Sequence, residues 1–99
     1  MIYCFDLDNT LCVTVEGDYK NSTPIQDRID KVNRLYSEGN YIIIDTARGS
    51  VTGIDWFDLT KNQLELWGVL YSELRTGIKM YADIYVDDKS VNDFNFFNK

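Results

Sequence analysis

Short apolar runs alternate with stretches of helical periodicity along this chain. Ile2-Tyr3-Cys4-Phe5 is an unbroken apolar run that stops abruptly at Asp6. Tyr41-Ile42-Ile43-Ile44 is a second such run. Runs without alternation suit strands of a parallel sheet, buried on both faces. Between them, Ile25, Ile29, Val32 and Tyr36 recur at helical spacing, with Leu35 flanking the stripe. Thr23-Pro24-Ile25-Gln26 reads as the start of that helix, with Thr23 as cap, Pro24 at the first helical position and Gln26 completing a capping box. Gly39 is placed to end it, so the helix is expected from about Pro24 to Glu38. Strand, helix and strand in this order form a βαβ unit.

The remaining pattern extends that unit. Leu11 to Tyr19 carries β-branched residues and a Gly17-Asp18 turn signal, which predicts a short hairpin or flap. Gly53 to Asp58 reads as a loop and helix entry. Leu59, Leu64, Leu66 and Trp67 supply a second, less regular helical face, and Gly68 stops it. Val69 to Leu74 is expected to be a third strand of the sheet and Ile84-Tyr85-Val86 a fourth, ending in Asp87-Asp88. Val91, Phe94, Phe96 and Phe97 suggest a C-terminal helix packing back on the sheet. The expected fold is a single α/β domain over residues 1–99, a doubly wound three-layer sandwich around a small, mainly parallel sheet, with no separate cap domain.

Composition narrows the function. A net charge of −6, from 16 acidic and 10 basic residues, disfavours binding to long nucleic acid. The absence of histidine excludes Ser-His-Asp and Cys-His mechanisms and the common histidine zinc sites. Cys4 and Cys12 lack metal-type spacing and read as reduced thiols. No run approaches the roughly 20 apolar residues needed to span a bilayer, so a soluble, cytoplasmic protein is expected.

Against that background the acids stand out. Asp6 and Asp8 follow the first apolar run two residues apart. In extended chain, such residues share a side, with Cα atoms roughly 6–7 Å apart. Two like charges so placed repel unless a cation lies between them. Thr46 and Asp87-Asp88 likewise follow apolar runs, which puts every chemically interesting group at a strand's carboxyl end, where open α/β sheets bind ligands.

Asp6-Leu7-Asp8-Asn9-Thr10 after a buried strand resembles the first motif of the haloacid dehalogenase superfamily of phosphatases and phosphotransferases. Ile42-Ile43-Ile44-Asp45-Thr46-Ala47-Arg48 is similar to its second motif, Lys79 stands where the third places a lysine, and Asp87-Asp88 resembles the fourth. The family often has Gly-Lys-Pro where this chain has Gly77-Ile78-Lys79-Met80. Within the superfamily, Gly17-Asp18-Tyr19, Thr46-Ala47-Arg48-Gly49 and Tyr81 to Lys89 resemble small phosphatases associated with capsule biosynthesis.

The resemblance implies roles. Asp6 would be the nucleophile that forms an aspartyl-phosphate, and Asp8 the general acid and then base. Thr46, Ala47 and Arg48 would contact the phosphorylated substrate, and Lys79 would neutralise Asp6 and the transferring group. Asp6, Asp8 through its backbone carbonyl and Asp87 would hold Mg²⁺, with Asp88 acting through water or beyond the direct ligands. Thr10 is expected to be structural. Read from the residues alone, Thr46 is equally a loop or helix-cap threonine, and Arg48 either reaches the substrate or pairs with an acid.

The expected function is a Mg²⁺-dependent phosphomonoesterase acting on a small phosphorylated substrate, with the resemblance pointing to a sugar phosphate. Nucleotides or oligonucleotide ends form a second substrate class. Without a cap domain the site is open, so either the substrate is large or a second copy of the chain closes the site. A phospho-accepting receiver domain and a metal-binding pseudoenzyme remain as rivals.

Overall fold

A computed structural model describes residues 1–48, 56–76, 84–87, 91–92 and 96–97. The first strand, β1 (Ile2–Asp6), pairs in parallel with β4 (Tyr41–Thr46) on one side and with β6 (Ile84–Asp87) on the other. β5 (Glu73–Thr76) extends the sheet beyond β4, and β7 (Val91–Asn92) extends it beyond β6, both in parallel. The order is therefore β5-β4-β1-β6-β7, with β1 in the middle. The chain builds outward from β1 to β5, then crosses to the other side of β1, so strand order reverses beside it. Such a reversal opens a crevice at the carboxyl ends of the strands.

The register explains the core. Tyr3 pairs with Ile42 and Phe5 with Ile44, which places these four on one face of the sheet. Phe5, Ile42 and Ile44 are fully buried there in one cluster with Ile29 and Val32 of α1 (Gln26–Ser37) and Leu64 of α2 (Phe57–Leu66). Phe96 and Phe97 are helical and return to the same cluster, with their rings 5.7 and 6.0 Å from that of Phe5. Cys4 and Ile43 point the other way and form a separate buried pair with Ile2. Among the described residues the helices α1 and α2 thus share one face; residues 49–55 and 77–83, which link strands of the sheet, lie outside those described.

Both helices end by the same device. Gly39 and Gly68 have φ of 92° and 72°. After α1, the N–H of Gly39 donates to the Tyr36 carbonyl and that of Asn40 to Leu35. After α2, Gly68 donates to Glu65 and Val69 to Leu64. This is the Schellman pattern, which turns the chain into the left-handed region where glycine carries no Cβ penalty. In α2 it also places Val69 in the core beside Leu64.

Four sequence expectations are corrected. The first helix begins at Gln26, with Ile25 rather than Thr23 at its cap. Thr23–Pro24 instead forms β3, antiparallel to β2 (Cys12–Val13), and the Ile25 N–H donates to the Leu11 carbonyl. The flap's pairing wins over the local capping box. On α1 the buried stripe runs through Ile29 and Val32 toward Leu35, while Tyr36 is exposed. The third strand of the sheet is Glu73–Thr76 rather than Val69 to Leu74, because Val69 is still closing α2. Val91 lies in a strand, not in a C-terminal helix. The expected loop at Gly53 lies outside the described residues. No helix among the described residues is long and apolar enough to cross a membrane.

Candidate active site

The last residues of β1, β4 and β6 are Asp6, Thr46 and Asp87. Parallel pairing, with Phe5 opposite Val86 and Asp6 opposite Asp45, brings these three to the same end of the sheet. A cavity of about 400 Å³ opens there. Asp6, Asp8 and Asn9 line it from the end of β1, and Ala47 and Arg48 from the end of β4. The flap between β2 and β3 supplies Thr14, Glu16, Gly17 and Tyr19.

The turn after β1 is built tightly. The Leu7 carbonyl accepts from the N–H groups of Thr10, Leu11 and Cys12 at 2.9–3.3 Å. Asn9 takes φ of 62°, a conformation that asparagine tolerates better than most residues. Its Oδ1 accepts from the Thr14 N–H at 3.1 Å, tying the turn to the flap. Thr10 is buried and its carbonyl accepts from Arg28 of α1 at 3.0 Å, consistent with a structural role. Arg28 in turn lies over the Phe97 ring at 5.0 Å, so the C-terminal aromatics brace the same turn.

Among the described residues Arg48 is the most connected side chain of the site. It is almost fully buried, and its five N–H donors all have acceptors within the protein. Nε reaches Asp8 Oδ2 at 3.1 Å and Oδ1 at 3.2 Å, and Nη2 reaches Oδ1 at 2.7 Å. Nη1 donates to Thr60 Oγ1 at 3.1 Å and Gln63 Oε1 at 2.6 Å, both on α2. Nη2 also reaches Ser22 Oγ at 3.3 Å, and the guanidinium carbon lies 4.7 Å from the Tyr19 ring centre. Arg48 thus pairs with an acid, one of the two readings open in the sequence.

Asp8 is held from the flap as well. Thr14 Oγ1 donates to Asp8 Oδ1 at 2.7 Å and lies 2.6 Å from Ser22 Oγ. The Cys12 thiol approaches the same oxygen at 3.7 Å. Burial pushes that thiol above its usual value, which disfavours the thiolate form. Gln63 Nε2 donates to the Tyr19 carbonyl at 2.6 Å, fastening α2 to the flap a second time.

Other expected residues fare differently. Thr46 is buried, and its Oγ1 accepts from the Arg48 N–H at 3.2 Å, the loop role that its position also allowed. Ala47 is exposed and lines the cavity. Lys79 and Asp88 lie outside the described residues, and Asp87 is described only as the end of β6. Among the described residues no group of three metal-ligating side chains stands together. Asp6 and Asp8 bring carboxylates to the cavity, the ligand type that a hard cation such as Mg²⁺ takes.

Sequence reasoning missed Thr14, Ser22, Thr60 and Gln63. A signal existed for the last two. Thr60, Gln63, Leu64 and Trp67 share one helical face by spacing, so two polar residues replace apolar ones in the stripe of α2.

No family model and no curated protein matches the chain. Among solved structures it is similar to the crystal structure of a target protein from Vibrio cholerae, at 27% sequence identity and a TM-score of 0.79. That match covers 100% of this chain and 89% of the other. Together the fold and the match define a small α/β protein with a mainly parallel sheet and a polar crevice at its carboxyl end.

Proposed function

We propose that the chain is a phosphomonoesterase of the haloacid dehalogenase type, on a doubly wound Rossmann-like fold, working through an aspartyl-phosphate. The observation that carries this reading is the shared location of Asp6 and Asp8 on one cavity at the carboxyl end of the central strand, with Asp87 ending the neighbouring strand. Asp6 would attack phosphorus while the bond to the leaving oxygen breaks, and Asp8 would give that oxygen its proton. The products of this half are the free alcohol and phosphorylated Asp6. Water then attacks phosphorus, Asp8 takes its proton, and the bond to Asp6 breaks to release inorganic phosphate.

Asp6, the Asp8 backbone carbonyl and Asp87 would hold Mg²⁺, with Asp88 behind them. The cation would supply charge stabilisation for the phosphoryl oxygens. Lys79 would add a second positive charge. Thr46 keeps a hydroxyl proton with which it could donate to a phosphoryl oxygen. A sugar phosphate remains the substrate class favoured by the sequence resemblance.

Strand order counts against a receiver domain. Numbered along the main sheet, the order is 3-2-1-4-5. The flavodoxin-like order that receivers share is 2-1-3-4-5. The test is hydrolysis of p-nitrophenyl phosphate with and without Mg²⁺. Turnover that needs Mg²⁺ and disappears in Asp6→Asn and Asp8→Asn is the expected result. Slow labelling by acetyl phosphate without turnover would favour the receiver instead.

A further inference from the structure

We propose that Arg48 is a positioning residue for Asp8, fixing its Oδ1 so that Oδ2 is left to hand a proton to the departing ester oxygen. This rests on the phosphatase reading above. Oδ1 is engaged four times, by Arg48 Nη2 at 2.7 Å, by Arg48 Nε at 3.2 Å, by Thr14 Oγ1 at 2.7 Å and by the Cys12 thiol at 3.7 Å. Among the described residues Oδ2 receives one contact, from Nε at 3.1 Å. The carboxyl group is therefore asymmetric: one oxygen is anchored, and the other, on a residue that lines the cavity, is the less engaged. A carboxyl proton resides on the oxygen with fewer donors aimed at it.

The anchor itself is rigid. Arg48 is held by Thr60 and Gln63 on α2 and lies against the Tyr19 ring. With its other three donors held by Thr60, Gln63 and Ser22, the guanidinium cannot follow Asp8 if the acid rotates, so it fixes the acid's orientation. Through Ser22 and Thr14, the same grip holds the flap in register with the acid.

Leaving groups of graded acidity distinguish positioning from simple structural support. A 2,4-dinitrophenolate leaves readily without a proton, whereas a phenolate needs one. With Arg48→Lys, kcat/KM for phenyl phosphate is expected to fall about 100-fold, the scale of a general acid's contribution. For 2,4-dinitrophenyl phosphate it should fall less than about 5-fold. Asp8→Asn should show the same split, and the double variant should be no worse than Asp8→Asn alone, because the two act as one unit. Thr14→Val and Gln63→Met should shift the profile the same way by smaller factors, and they carry the test if Arg48→Lys does not fold. Equal losses across the esters in folded variants, or no loss, overturn the positioning role and leave the phosphatase intact. A wild type that hydrolyses none of the esters overturns both.

Discussion

Two arginine–carboxylate pairs of nearly equal length sit at different places in this molecule. Arg48 and Asp8 approach to 2.7 Å in the site, and Arg75 and Glu73 to 2.6 Å on β5 at the sheet edge. Their surroundings differ completely. The Arg48 side chain is 0% exposed and that of Arg75 is 39% exposed. Arg48 joins groups from the turn after β1, the flap and α2. Arg75 reaches a residue two places away on its own strand, where the two side chains share a face in any case. Distance alone does not rank ion pairs. What decides is how much water was removed and how many distant segments the pair ties together.

Removing the buried arginine should have the largest effect. Arg48→Met strands Asp8, Thr60 and Gln63 without their shared donor. Breaking a buried pair in this way costs about 3–5 kcal/mol, and the partial exposure of Asp8 places the expected loss near the lower end, about 3 kcal/mol. Urea unfolding followed by circular dichroism would measure it, as a lower midpoint at unchanged slope. A loss below about 1 kcal/mol would erase the distinction between the two pairs. The next effect concerns Gln63→Leu. It leaves an Arg48 N–H and the Tyr19 carbonyl short of a partner, with an expected loss of about 2 kcal/mol. The same unfolding experiment applies, and a stabilised variant would show that the apolar side chain packs better than the network bonds.

The same contrast explains what could be read in advance. β1 and β4 announce themselves because residues such as Ile42, Ile43 and Ile44 are buried on both faces, so burial alone fixes their character. Asp6 and Asp8 at the end of β1 were legible for the complementary reason: charge directly after a buried run has few structural uses. The start of α1 was not legible. Thr23-Pro24-Ile25-Gln26 satisfies local capping rules, yet Pro24 pairs with Cys12 in the flap, and the Ile25 N–H goes to Leu11. Only tertiary contact decides between those partners. The partner of Arg48 was likewise undetermined, since nothing in Thr46-Ala47-Arg48 states which carboxylate folds against it. The buried polar pair Thr60 and Gln63 left only an irregular stripe, while Leu66, expected on that face, is 82% exposed.

The edge pair should yield the smallest effects, and their pH dependence sharpens the comparison. Arg75→Met is expected to leave the melting temperature within replicate scatter, because an exposed pair within one strand gains little over water. Its partner Glu73 also accepts a hydrogen bond from the Tyr41 hydroxyl. That bond, followed by the one from Arg75, holds the Glu73 carboxyl below its ordinary value of 4.5. The same bond raises the Tyr41 hydroxyl above its ordinary 10.0. A carboxylate lowered on folding contributes stability above 4.5 that is lost as pH falls through its folded value. A phenol raised on folding contributes stability that is complete below 10.0 and lost as pH rises through its folded value. One hydrogen bond therefore produces a plateau with an acid and an alkaline shoulder. Tyr41→Phe should flatten both shoulders together, and added salt should shrink them, since both groups face solvent. Melting curves across pH at low and high salt test this. If the acid shoulder persists in full in Tyr41→Phe, Glu73 takes its shift from Arg75 instead, and the edge pair matters more than its exposure implies.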